Sequence, residues 1–117
     1  MKSINAPFRK SFLKQIFCLF FLNPFPIQCA NFENGKQLFF THCVVCHNEG
    51  NNIIIPEKNL KKNTLDANGM NTVNSIMYQV MNGKNGMPAF GGRLIEAEIE
   101  DLATFVLKES STNFLEN

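Results

Sequence analysis

The pentapeptide CVVCH, residues 43–47, governs how the rest of the chain is read. Two thiols three positions apart, with an imidazole directly behind the second, suit three chemistries: a zinc clip, a redox dithiol or a covalent haem anchor. A structural zinc site takes four ligands, usually from two separated pairs, and no second pair follows Cys46. His42 and His47 adjoin the cysteines, but such close neighbours cannot all turn onto one tetrahedral ion. A redox C-x-x-C usually opens a helix after a strand in a βαβ unit. Here a helical pattern precedes Cys43. The haem reading explains more. The thiols of Cys43 and Cys46 add across the two vinyl groups, and His47, following at once, reaches the iron on the same face.

A haem iron has a sixth position. The chain offers GKNGMPAFGGRL, residues 83–94. Met87 is followed by Pro88, which removes a backbone donor and stiffens the loop. The glycines at 83, 86, 91 and 92 let that loop pass close to a flat macrocycle. A thioether opposite an imidazole is the Met/His ligation of electron-carrying cytochromes c. Met70, Met77 and Met81 are the other candidates. Met77 lies on an apolar helix face and reads as core, and Met70 follows Gly69 in a loop.

Residues 1–32 contain no acidic residue, whereas Lys2, Arg9, Lys10 and Lys14 come early. An apolar run over 16–22 follows, then Pro24, Pro26 and Gln28-Cys29-Ala30. A basic start, a short apolar stretch and a small residue describe a cleavable export signal. The run is far short of the ~20 residues that span a bilayer. Residues 1–30 are therefore expected to be a leader and 31–117 the mature domain. The mature part carries seven basic and ten acidic residues, a net charge of −3. It has no basic stripe for phosphates, which argues against a nucleic-acid partner. Cys18 and Cys29 leave with the leader, so only Cys43 and Cys46 remain and no wider disulfide framework is possible. So short a domain gains much from a covalently attached apolar ligand.

Three segments carry a helical period and none a sustained period of two. The first spans about 33–43, with Phe32, Gly35, Leu38 and Phe39 on one side. The second spans about 71–81, with Val73, Ile76, Met77 and Val80 in helical register and Gly83 as its stop. The third spans about 96–108, with Ile99, Leu102, Ala103 and Val106 on one stripe. It carries Glu96, Glu98 and Glu100 at its start and Lys108 at its end, complementing the helix dipole. A short helix around 64–68 and long loops over 48–60 and 82–93 complete an all-α chain wrapped around a ligand.

The stretch NN…PEKNLKKNTLDANGMNT…YQVMNGKNGMPAFGGRL, within 51–94, resembles the cytochrome c6 family of soluble photosynthetic cytochromes. The likeness covers roughly 33–108. It implies a class I cytochrome c fold with one haem c and crossed N- and C-terminal helices. It implies an electron shuttle from the cytochrome b6f complex to photosystem I in the thylakoid lumen, of a chloroplast or a cyanobacterium, with no membrane insertion of the mature chain. Carried over by motif, Cys43 and Cys46 form the thioethers, His47 is the proximal ligand and Met87 the distal one. Arg93 matches a family arginine associated with partner docking; a plain salt bridge is an equal alternative. The family commonly has glutamine where this chain has Met81, a position implied to lie near the haem and to tune its potential; a plain core role is the alternative. The family often has a tryptophan near the C-terminus, and this chain has none. With both axial positions filled the chemistry is outer-sphere electron transfer, and the chain is expected not to be an enzyme. The alternatives are a respiratory class I cytochrome c serving a terminal oxidase, a small haem peroxidase with an open sixth site, and a redox sensor.

Overall fold

The computed structural model describes residues 29–114. The leader expected over 1–30 falls outside these residues except for Cys29 and Ala30. Five α-helices follow in order: α1 (Phe32–His42), α2 (Val44–His47), α3 (Lys62–Ala67), α4 (Val73–Asn82) and α5 (Glu96–Ser111). Single 3-10 turns lie at Asn48–Gly50 and Pro56–Lys58. Among the described residues there is no strand, only an isolated antiparallel bridge between Lys84 and Met87. The all-α expectation holds, and the three periodic segments are α1, α4 and α5.

Each long helix starts where a side chain takes up a free backbone N–H. Asn31 caps α1, its Oδ1 accepting from the Asn34 N–H at 3.1 Å. Thr72 and Ser75 cap α4 reciprocally, the Ser75 N–H donating to Thr72 Oγ1 at 3.1 Å. The Glu98 carboxylate accepts from the Ile95 N–H at 3.0 Å, closing the first turn of α5. Helix α5 runs three residues past the expected Lys108, because Ser110 is buried and its hydroxyl donates to the Leu107 carbonyl at 2.7 Å.

Helix α1 crosses α5 at Gly35. A Cβ added there would strike the backbone carbonyl of Asp101 and lie 3.0 Å from the Phe105 Cβ. Hydrogen alone fits between the two backbones, so the implied crossing of the N- and C-terminal helices lies here. Asp101 locks it from α5: its carboxylate accepts from the Asn31 N–H at 2.6 Å and from Asn34 Nδ2 at 2.7 Å. Phe105 is fully buried, with ring centres of Phe32 and Phe39 at 5.1 and 5.3 Å.

Past α5 the backbone turns through positive φ at Asn113 and Phe114. The turn swings the Phe114 ring inward, 5.7 Å from the Phe39 ring and tight against Gly50. Phe114 thus packs the segment after α5 onto α1 and the Asn48–Gly50 turn. Helix α4 packs along α5, with Ile76 and Val80 buried. These helices bound one side of a cavity, and the loops over 48–60 and 82–93 bound the other.

Candidate functional site

The single turn α2 presents Cys43, Cys46 and His47 to this cavity. It is closed by the Cys46 and His47 N–H groups, which both donate to the Cys43 carbonyl, at 3.1 and 2.9 Å. Four residues are too few to carry a period, which is why the sequence pattern does not reveal this turn. Both thiols are free. Burial, with the neighbouring Cys46 thiol adding to it, pushes the Cys43 thiol up to about 11.

After His47 the chain doubles back through positive φ at Glu49 and Gly50. The return brings the Asn51 carbonyl 2.9 Å from His47 Nδ1. A carbonyl only accepts, so Nδ1 carries the proton and Nε2 keeps its lone pair for a metal. The Ile53 N–H donates to the Cys46 carbonyl at 3.1 Å and fixes the returning segment against α2.

Met87 enters from the other side. Lys84 and Met87 exchange both backbone hydrogen bonds at 3.0 Å across the two-residue turn Asn85-Gly86. Both turn residues have positive φ, 49° and 88°, as a type I′ turn requires. Farther along, the N–H groups of Phe90 and Gly91 donate to the carbonyls of Val80 and Met81, at 2.9 and 3.1 Å. Gly83, at φ 66°, ends α4 where a Cβ would stand 2.7 Å from Ala89 N. The methionine loop is therefore held to α4 at both ends.

Two further residues singled out in the sequence, Met81 and Arg93, lie outside the cavity lining. Met81 does not line the cavity; it lies against Gly91, with its Cγ 3.0 Å from where a Gly91 Cβ would be. One helical residue is 100° of rotation, so the face carrying Ile76, Gln79 and Val80 turns Met81 away. On the cavity face of α4 stands Gln79 instead, its Nε2 3.8 Å from Met87 Sδ. Arg93 makes no salt bridge among the described residues. It is exposed, with its guanidinium carbon 5.5 Å from the centre of the Phe90 ring, and Phe90 lines the cavity. Of the other methionines, Met70 lines the cavity and Met77 does not.

The cavity measures about 500 Å³. Phe39, Ile76, Leu102 and Val106 give it apolar walls, whereas Asn52, Lys58, Asn59 and Asn68 make a polar edge. No carboxylate lines it. This donor set fits a haem: two free thiols for vinyl groups, an imidazole with a free Nε2, a thioether, apolar walls for a macrocycle, and a lysine among amides for its carboxylates. Among the described residues no three His, Cys, Asp or Glu side chains converge in a way that could hold a bare metal ion. No helix among these residues is long and apolar enough to cross a membrane.

Comparison with known proteins agrees. Residues 30–106 match the family model described as cytochrome c oxidase, cbb3-type, subunit III. Cytochrome c6 of Bumilleriopsis filiformis is 59% identical over 81 residues, 69% of this chain and 94% of that protein. Cytochrome c6 of Cyanidium caldarium is 45% identical over 93 residues, 80% of this chain and 84% of that protein. The crystal structure of cytochrome c6 from the diatom Phaeodactylum tricornutum superposes with a TM-score of 0.69 at 45% identity, covering 71% of this chain and 98% of that one. With the cavity's donor set, these relationships place the chain in the cytochrome c6 family, a c-type electron-transfer protein with one covalently attached haem rather than an enzyme.

Proposed function

We propose that the protein carries single electrons from the cytochrome b6f complex to photosystem I in the thylakoid lumen, after removal of residues 1–30. The observation that carries this reading is the meeting of Cys43, Cys46, His47 and Met87 on one apolar cavity. Cys43 and Cys46 would hold the haem as thioethers, and His47 Nε2 and Met87 Sδ would ligate its iron. Lys58, with Asn52, Asn59 and Asn68, would receive the haem carboxylates. When bound, the haem supplies a one-electron ferrous/ferric couple.

The residues do the rest. The Asn51 carbonyl orients His47, and the Lys84–Met87 turn fixes the thioether before an electron arrives, so little has to move on transfer. The walls exclude water and lower the local dielectric. Val45 and Ile54, exposed at the cavity rim, and Arg93 beside Phe90 give a partner an apolar contact and a charge. Such encounters are small and transient.

The test is flash oxidation of photosystem I in the presence of purified holoprotein. The re-reduction rate is expected to rise with carrier concentration and to depend on ionic strength. No reaction with photosystem I, together with rapid reduction of a terminal oxidase, would overturn this reading in favour of a respiratory carrier.

A further inference from the structure

The sequence holds four Asn-Gly pairs, at 34–35, 68–69, 82–83 and 85–86. Asparagine before glycine is chemically labile, because glycine has no Cβ to hinder its amide nitrogen from reaching the asparagine Cγ. The fold holds three of the pairs at both reacting ends. Asn34 Nδ2 donates to Asp101 at 2.7 Å, and the Gly35 N–H to the Asn31 carbonyl at 3.0 Å. Asn68 accepts from Lys58 Nζ and donates to the Thr64 carbonyl at 2.7 Å, and the Gly69 N–H donates to the Asp66 carbonyl at 3.2 Å. Asn82 Nδ2 donates to the Tyr78 carbonyl and the Gly83 N–H to the Gln79 carbonyl, both at 2.8 Å.

The fourth pair differs. Among the described residues, neither the Asn85 side chain nor the Gly86 N–H makes a hydrogen bond, and both residues are exposed. They are the two central residues of the turn that presents Met87, and both line the cavity rim. We infer that Asn85-Gly86 is the deamidation site of the folded protein and that its modification retunes the methionine loop. The Gly86 nitrogen gives up its proton and bonds to Asn85 Cγ; the Cγ–Nδ2 bond breaks and Nδ2 leaves, with that proton, as ammonia. Water then opens the five-membered imide. Breaking the ring nitrogen's bond to Cγ gives aspartate; breaking its bond to the main-chain carbonyl carbon gives isoaspartate.

Either product matters to the site. Aspartate puts a negative charge on a rim whose charged lining is Lys58 and Lys84. A nearby negative charge favours ferric over ferrous iron and lowers the midpoint potential. Isoaspartate adds a backbone atom to a two-residue turn, so Lys84 and Met87 cannot keep both bonds. This second half rests on Met87 being the axial ligand; the site of deamidation does not.

Holoprotein kept warm at mildly alkaline pH, and a parallel sample in urea, would be followed by peptide mapping with mass spectrometry. The folded sample should lose Asn85 alone, and the urea sample all four asparagines. An intact Asn85 in the folded sample, or Asn34, Asn68 or Asn82 keeping pace with it, would overturn the site. In the redox arm, Asn85→Asp should lower the midpoint potential. Asn85→Gly, whose Gly-Gly pair suits the same turn, should abolish any drift of potential with age. An unchanged potential in Asn85→Asp with the expected peptide map overturns the retuning and leaves the site standing.

Discussion

The side-chain amide of Gln79 donates to the sulfur of Met87, Nε2 to Sδ at 3.8 Å. A donor on that sulfur withdraws electron density from it and so favours the ferrous state. Apolar walls strengthen the effect because screening there is weak. Gln79→Val should lower the midpoint potential by about 30–60 mV, where ~59 mV corresponds to a tenfold change for one electron. Met81→Gln should leave it unchanged, since that side chain packs on Gly91 outside the cavity. Redox titration of the two variants side by side decides between the positions; a shift in Met81→Gln alone would reverse the assignment.

That Gln79 rather than Met81 faces the cavity marks where sequence reading stops. That Cys43, Cys46, His47 and Met87 would share one cavity was legible, because the attachment and ligation proposed for them constrain residue type and local spacing. The helices were legible because α1, α4 and α5 each bury one stripe. Which of two residues on α4 faces the ligand depends on how that helix rolls against α5, a tertiary fact that a stripe two residues wide cannot settle. The Asn51 carbonyl was likewise invisible, since any residue type supplies one. Phe114 was hidden by its context: its inward swing follows from positive φ at two non-glycine residues, which side-chain pattern does not encode.

Gly35 tests the helix crossing. Its neighbour is α5 backbone, the Asp101 carbonyl, which cannot rotate aside as a side chain can. Gly35→Val should destabilise the holoprotein by roughly 1–3 kcal/mol through overpacking. An unaltered urea midpoint would move the crossing elsewhere.

Phe114 tests the C-terminal closure. It is 5% exposed and packs between Phe39 and Gly50. Phe114→Ala should cost about 3 kcal/mol, the low end for a buried phenylalanine, because a turn beyond a helix collapses more readily than a helix interior. Thermal unfolding followed by circular dichroism measures it. A melting temperature equal to that of the unsubstituted protein would show that the ring carries no stability.

Met87→Ala should open the sixth position. The weak iron–sulfur charge-transfer band of the ferric protein should disappear, the midpoint potential should fall and carbon monoxide should bind readily. Persistence of the band would transfer ligation to Met70, the other methionine lining the cavity.

Arg93 is the remaining charge to test. It is exposed, its guanidinium lies over Phe90, and no acid pairs with it among the described residues. An exposed guanidinium over a ring contributes about 0.5–1 kcal/mol, so Arg93→Gln should unfold close to the normal temperature with its spectrum intact. Its effect should fall on encounter instead. A charge at the rim of an interface acts mainly on the association rate and its salt dependence, and salt screens it over about 10 Å at 0.1 M. Flash kinetics with photosystem I should therefore show slower re-reduction at low salt, a shallower decline as salt is raised, and convergence with the unsubstituted protein at high salt. Two parallel curves, displaced by the same factor at every ionic strength, would mean that Arg93 contributes through shape rather than charge, and the docking role drawn from its charge would fall.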